Sequence, residues 1–388
     1  MGKNHIVWIS DFDVKGSGYF TISVPMCTEL TNRGYEIKAI GLGYKRQEHF
    51  YNFSLVPLDS FNDSTALQDG YSMLTNLITL WGVDYVVVAL DIPLQRALLS
   101  RINERKYKYI GITPIESTPL YPSWITPLLQ MDKLFVISKF GTEEVTRYGV
   151  NATYLPVGID TNQWRLPSDD ERRVVRQSFG INEDTFTVLT VADNQERKNL
   201  YAALKIFSGF SRGKNAKYII VTRQNLPVGW MLWDLAAELR IADKLIILER
   251  GLSNEELRNV YATADAFMLT SKVEGLGLPL LEAMSMKIPC IATNSTGMKE
   301  LLSDGRGILL DVDFYDYRDP FGGGYRYFVS IEDGIRQLDY LYYSKLYHHN
   351  ERTQSMIDTA YNYVQQLSWE KSVDIFEEQL RILAQNEK

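Results

Sequence analysis

Short apolar runs rich in β-branched residues alternate along this chain with longer stretches whose apolar positions recur at helical spacing. The runs predict strands at His5–Ser10, Glu36–Leu42, Tyr85–Leu90, Lys108–Ile112, Lys133–Ile137 and Thr153–Leu155, then at Thr187–Val191, Tyr218–Val221, Leu245–Leu248, Ala266–Leu269 and Pro289–Ala292. Between them, helical periodicity covers Thr21–Arg33, Tyr71–Trp81, Leu94–Glu104, Thr142–Tyr148, Asn199–Phe210, Trp230–Leu239, Asn254–Ala262 and Pro279–Met286. Strand and helix in regular alternation imply parallel sheets covered on both faces, hence an α/β protein.

The alternation comes in two blocks, which predicts two doubly wound domains rather than one large sheet. The break follows Leu155-Pro-Val-Gly-Ile-Asp160, where the text turns polar and charged until the strand at Thr187. The first domain is expected over 1–160 and the second over 161–364. Asp311–Val329, with its tyrosines and three successive glycines, interrupts the pattern and reads as a loop or small insertion. Beyond it Glu332–Ser344 and Gln354–Asn386 read as helices, the last carrying Trp369, Val373, Phe376 and Leu380 at helical spacing.

Composition narrows the class. A chain of 388 residues with 45% hydrophobic and 23% charged positions has the make-up of a soluble globular protein. The net charge of −7 lacks the basic footprint of a general nucleic-acid binder, so no nucleic-acid partner is expected. Cys27 and Cys290 lie far apart, predicting no disulfide and a reducing, cytoplasmic setting. His5, His49, His348 and His349 show no metal-ligand spacing, so no metal is expected. No window is long and apolar enough to span a bilayer.

The densest chemical signal is Ser271-Lys-Val-Glu274-Gly275-Leu276-Gly277-Leu-Pro279-Leu-Leu-Glu282-Ala-Met. It follows a predicted strand, and Pro279 suits the first turn of the next helix. Amides from Gly275 to Gly277 at that helix start would form an anion seat fit for a diphosphate. Glu274 and Glu282 then flank one pocket as carboxylates suited to sugar hydroxyls. The plain alternative is a strand-to-helix turn with surface glutamates. Against it, Glu-Gly-Leu-Gly-Leu-Pro-Leu-Leu-Glu-Ala-Met resembles the Glu-x7-Glu signature of retaining GT-B glycosyltransferases of family four.

Other segments resemble that family at matching intervals. Val191-Ala-Asp-Asn-Gln-Glu-Arg197-Lys198-Asn199 is similar to the donor-domain loop in which a basic pair holds the nucleotide diphosphate. Many members carry Gly-Arg where this chain has Ala192-Asp193, so one usual phosphate contact is missing. Gly16-Ser-Gly18-Tyr19 resembles the glycine-rich loop of the acceptor domain, and it fails as a dinucleotide fingerprint because the third glycine position is Thr21. Pro114-Ile-Glu116-Ser-Thr-Pro resembles the loop that often carries a histidine near the transferred sugar, with Glu116 in that region. Ser295-Thr296-Gly297-Met-Lys-Glu300 resembles the Gly-Gly-x-x-Glu segment, with Thr296 in the first glycine position.

The resemblance implies a GT-B architecture of two Rossmann-like domains facing a central cleft. The first domain, completed by a crossover helix at about 365–388, would bind the acceptor and the second the nucleotide sugar. It further implies retaining transfer of a hexosyl group from a nucleoside diphosphate sugar to a hydroxyl acceptor, without cofactor or metal. Glu274, Arg197 and Lys198 would carry catalysis. Gly16, Gly18, Gly275, Leu276, Gly277 and Glu282 would join them in donor binding, and Tyr19 and Glu116 would meet the acceptor. A saccharide, lipid-linked or glycoprotein acceptor is compatible, as is peripheral contact with a membrane. Two rival readings stay open: another GT-B enzyme, such as a sugar-nucleotide epimerase or a phosphorylase, and a non-catalytic carbohydrate-binding protein on a decayed transferase fold. Of the 24 tyrosines most are expected in core or rim, with Tyr315–Tyr327 the cluster marking an acceptor or partner surface.

Overall fold

Each predicted strand forms, and every one lies in a parallel sheet. A computed structural model describes residues 5–13, 15, 17–58, 64–100, 105–224, 229–317, 323–347 and 350–385, with the backbone alone for 64–69 and 71. The chain divides into a first unit of Met1–Ile115, Pro119–Gly158 and Ser368–Lys388, and a second of Glu116–Thr118 and Ile159–Leu367.

In the first unit the elements run β1 (His5–Asp11), α1 (Gly18–Asn32), β2 (Glu36–Leu42), β3 (Ser54–Leu58), α2 (Ser64–Trp81), β4 (Tyr85–Ala89), α3 (Ile92–Leu99), β5 (Lys108–Thr113), α4 (Pro122–Leu129), β6 (Lys133–Val136), α5 (Lys139–Thr146) and β7 (Ala152–Tyr154). The strands form one parallel sheet in the order β3-β2-β1-β4-β5-β6-β7. Ile6, Val7, Trp8 and Ile9 are consecutive and all buried, as a strand covered on both faces requires. The polar atoms this buries are threaded together. Trp8 Nε1 donates to Ser23 Oγ at 2.9 Å, which donates to Ser10 Oγ at 2.8 Å, which in turn donates to the Ala89 carbonyl at 3.0 Å.

The second unit continues with α6 (Asp169–Ser178), β8 (Phe186–Val191), α7 (Leu200–Phe210), β9 (Ala216–Thr222), α8 (Leu232–Glu238), β10 (Leu245–Glu249), α9 (Asn254–Thr263), β11 (Ala266–Leu269), α10 (Leu278–Ser285), β12 (Cys290–Thr293), α11 (Thr296–Leu302) and β13 (Ile308–Leu310). Its parallel sheet has the order β10-β9-β8-β11-β12-β13. A separate antiparallel hairpin, β14 (Val312–Tyr317) with β15 (Tyr325–Val329), precedes α12 (Ile331–Leu346) and α13 (Glu351–Val364). The last helix, α14 (Trp369–Gln385), belongs to the first unit, where Phe376 packs its ring 5.0 Å from Phe135 and 6.1 Å from Trp8. Arg33 fixes the same helix from α1, donating to Asp374 at 2.6 Å and Glu377 at 2.7 Å.

Four elements depart from the expectation. Strand β3 went unread because Pro57 breaks its pattern; it sits at a sheet edge, where a missing N–H is tolerated. Helix α6 lies in the stretch read as a polar linker, and its start is a capping box of Ser168 with Glu171. Asp311–Val329 contains a hairpin rather than a loop. The final periodic stretch is two helices, broken after Val364 where the chain passes back to the first unit. Among the described residues no helix is long and apolar enough to cross a membrane.

The buried Asp265 carboxylate organises the charged side of the second unit. It takes Arg172 at 2.6 Å, Arg176 at 3.4 Å, Lys345 at 2.8 Å and the Thr187 N–H at 2.9 Å, tying α6, β8 and α12 to the start of β11. Burial opposes its charge, but Lys345, Arg172 and Arg176 prevail and hold the carboxyl below its usual range. Asp265→Asn leaves three cations without their carboxylate and is expected to cost about 3 kcal/mol of stability. Denaturant unfolding checks this, and a midpoint equal to that of the native protein refutes it.

Candidate active site

The strand order of the second unit dictates where a site can form. From β8 the chain steps outward through β9 and β10, then crosses back to β11 on the other side of β8. Loops after β8 and β11 therefore diverge and leave a crevice at the carboxyl ends of the strands. After β8 a short 3-10 turn, Glu196–Lys198, ends at Asn199 with φ +53°, and α7 begins. After β11, Thr270 Oγ1 donates to the Asn199 carbonyl at 3.1 Å and the Lys272 N–H to the Arg197 carbonyl at 2.8 Å. The two loops are thus sewn to each other before any side chain meets.

Glu274 stands at their junction. Its Oε1 accepts from Lys198 Nζ at 2.6 Å and from Ser271 Oγ at 2.6 Å, and its Oε2 accepts from Arg197 Nη1 at 2.9 Å. Arg197 also donates to the Val273 carbonyl at 3.0 Å and reaches Glu116 Oε1 at 3.2 Å. Only 6% of Glu274 is exposed, so burial works against its charge; Lys198 and Arg197 outweigh that and hold the carboxyl at about 2. The group is a carboxylate at every physiological pH.

Backbone geometry supports this cluster from below. Thr296, at φ +44°, donates its hydroxyl to the Glu274 carbonyl at 2.9 Å and accepts from the Glu274 N–H at 2.9 Å. Next to it a Cβ on Gly297 would stand 2.5 Å from Leu276 Cα and 2.7 Å from Leu276 N, so only glycine permits this approach. Gly277, at φ +103°, turns the chain into α10, with Pro279 in its first turn. Gly275, Leu276 and Gly277 thus run from Glu274 directly into a helix N-terminus.

Glu282 lies on α10, where Tyr261 Oη donates to its Oε2 at 2.6 Å. Burial pushes its carboxyl up to about 7, with the Tyr261 hydroxyl and Arg250 pulling the other way. The two glutamates of one motif therefore differ: Glu274 is charged by its cations, while Glu282 titrates near neutrality. A second charged cluster at the same strand ends escaped the sequence reading. Arg223 directly follows β9 and Arg250 directly follows β10, and both hold Asp193 after β8, with Arg223 Nε at 3.0 Å and Arg250 Nη1 at 2.6 Å. Asp193 occupies the place of an expected basic residue, and these arginines restore positive charge around it. Their placement immediately after strands was a usable signal.

Of the remaining candidates, Gly16 lies outside the described residues. Gly18 opens α1 in the first unit, capped by Ser17, and Tyr19 donates its hydroxyl to Asp91 Oδ1 at 2.5 Å. Asp91 directly precedes α3, after β4, and β4 adjoins β1 where that sheet changes direction. Glu116 falls in the second unit, where its Oε1 meets Arg197 at 3.2 Å. Among the described residues no group of three His, Cys, Asp or Glu side chains could hold a metal ion.

With this geometry in place, comparison with known proteins is informative. Residues 171–316, which contain Arg197, Lys198, Glu274 and Glu282, match the model of the family described as glycosyl transferases group 1. This stretch of the second unit therefore resembles the glycosyl transferases group 1. The chain is 28% identical, over 41% of its length and 42% of the relative's, to the GDP-mannose-dependent alpha-(1-6)-phosphatidylinositol monomannoside mannosyltransferase of Mycolicibacterium smegmatis. It spans less than half the length of the curated relatives it matches first. Its fold is that of a glycosyltransferase from Rickettsia africae, with a TM-score of 0.78 and 14% identity over 100% of both chains. It is also similar to Anabaena HepE, solved with UDP and glucose, with a TM-score of 0.71 and 13% identity over 97% of this chain and 99% of the other. Both domains are accordingly the Rossmann-like units of a GT-B fold.

Gly297→Ala drives a methyl into the Gly275–Leu276 backbone. It is expected to cost about 1–3 kcal/mol, read as a lower thermal midpoint. An unchanged midpoint would show that the loop yields.

Proposed function

We propose that this chain is a retaining glycosyltransferase that moves a hexosyl group from a nucleoside diphosphate sugar to a hydroxyl acceptor. The observation that carries the reading is the buried Glu274 carboxylate shared by Arg197 and Lys198 beside the N-terminus of α10. A preformed pair of cations at strand ends suits a leaving diphosphate, and the helix start adds N–H donors.

In the proposed reaction the bond between the anomeric carbon and the diphosphate oxygen breaks, its electron pair leaving with the diphosphate. The acceptor oxygen bonds to the same face of that carbon, and its proton passes to the departing phosphate oxygen. Arg197 and Lys198 stabilise the growing charge, which costs little reorganisation because Glu274 already fixes both side chains. Glu274 accepts hydroxyls of the transferred sugar, and Glu282 accepts those of the ribose. Tyr19 and Glu116 are assigned to the acceptor side, and neither cofactor nor metal is invoked.

Two measurements test this. A nucleotide that binds only the folded protein raises its stability by about 2.7 kcal/mol at a hundredfold excess over Kd. Thermal shifts with UDP, GDP and ADP without added metal should single out one base, and Lys198→Ala should abolish that shift and lower kcat by about 10²–10³. No shift with any of the three rejects the donor site.

The second uses pH. Because its folded value is raised, Glu282 favours the fold below its ordinary value of 4.5, and that contribution fades as pH rises through about 7. Hydroxyl donors prefer the ionised form, so nucleotide affinity should climb between pH 6 and 8 in the native protein and stay level in Glu282→Gln. Parallel profiles for the two proteins would remove Glu282 from the donor site.

A further inference from the structure

The β14–β15 hairpin stands outside the six-stranded sheet and has two unlike faces. Its register pairs Tyr315 with Tyr327 and Tyr317 with Tyr325, so alternation places four tyrosines on one face. Their rings are neighbours: Tyr315 and Tyr325 have centroids 5.0 Å apart, Tyr315 and Tyr327 6.0 Å, and Tyr317 and Tyr325 6.1 Å. Tyr315 is 62% exposed, Tyr317 44% and Tyr325 36%. Such exposure is costly for so much ring surface in one place.

The other face reaches the candidate site through Phe328 of β15, while Phe314 of β14 stays exposed. Phe328 stacks on Phe314 and lies under Lys272, whose Nζ is 4.4 Å from its ring centre. The Tyr327 N–H donates to the Lys272 carbonyl at 3.3 Å, and the Lys272 N–H donates to the Arg197 carbonyl at 2.8 Å. Two backbone hydrogen bonds thus connect the tyrosine face to the cation that faces the proposed leaving group.

We infer that this tyrosine face is a saccharide platform that takes an oligosaccharide of several hexose units. The side chains choose the occupant. Among the described residues of the two strands, the face carries no lysine or arginine for phosphate or an anionic lipid, and its aliphatic pair, Val312 and Val329, sits at the base of the hairpin, with Val329 buried away from the tyrosine surface. It offers rings with hydroxyls at their rims, which match the alternating C–H and O–H surface of a pyranose. Continuity with Lys272 and Arg197 sets the platform next to the donor site. The inference rests on the transferase reading for its biological sense and names the acceptor or product as a glycan chain.

Calorimetry with two probes, linear α-linked mannohexaose and maltohexaose, tests it on the full chain. At least one should bind the native protein, Tyr315→Ala with Tyr325→Ala should weaken it tenfold or more, and Tyr315→Phe with Tyr325→Phe should stay within about threefold. The nucleotide-induced thermal shift should be the same in all three proteins, which shows that the variants fold. Binding of neither hexasaccharide, or equal binding by the native and alanine proteins, overturns the platform. So does a native dimer that the alanine pair dissolves, since a second copy would then be the occupant. Loss of the nucleotide shift in the native protein with glycan binding intact instead sinks the transferase reading and leaves the platform standing.

Discussion

A carboxylate removed from water must be matched by charge and hydrogen bonds, or it takes up a proton. Glu274 is matched on both oxygens, by Lys198 and Ser271 on one and by Arg197 on the other. Much of the second unit serves that arrangement. The left-handed Asn199 ends the turn that bears both cations, Thr270 and Lys272 hold that turn to the neighbouring loop, and Thr296 grips both backbone groups of Glu274. The parallel sheet underneath brings the two loops side by side through its change of direction between β8 and β11.

The same solution recurs elsewhere in the unit. Asp193 lies between Arg223 and Arg250, and Asp265 between Arg172, Arg176 and Lys345. In each case an acid near a strand end gathers cations from different elements. The Asp265 group lies at the amino ends of the strands and fastens helices, a purely architectural task. The Glu274 and Asp193 groups lie at the carboxyl ends, where an open α/β sheet receives ligands.

The sheet architecture was legible because strands buried on both faces spell themselves out as β-branched runs, as in Ile6–Ile9 and Tyr218–Val221. What stayed hidden obeyed a competing rule. Pro57 disguised an edge strand, and six charged residues in Asp169–Arg176 masked a helix whose Ser168–Glu171 cap was nonetheless written in the text. The hairpin was obscured by its glycines and tyrosines. In the site, Glu274, Gly277 and Glu282 sit in one short motif and could be read together. Arg223 and Arg250 could not, because their shared partner Asp193 is close in space but distant in sequence. Nor does the text reveal that two glutamates eight positions apart differ in protonation, a contrast set by burial of Glu282 and by the cations Lys198 and Arg197 beside Glu274.

Thr296 couples backbone strain to the central carboxylate's residue. A β-branched residue at φ +44° is conformationally strained, by about 1–3 kcal/mol, where glycine would be at ease. Its hydroxyl offsets that strain with two hydrogen bonds to Glu274, which a glycine could not make. Exchange to glycine therefore relaxes the backbone at 296 and at the same moment unfastens the backbone of Glu274. Positions 274 and 296 are therefore coupled: a substitution at 296 changes how firmly the backbone of Glu274 is held.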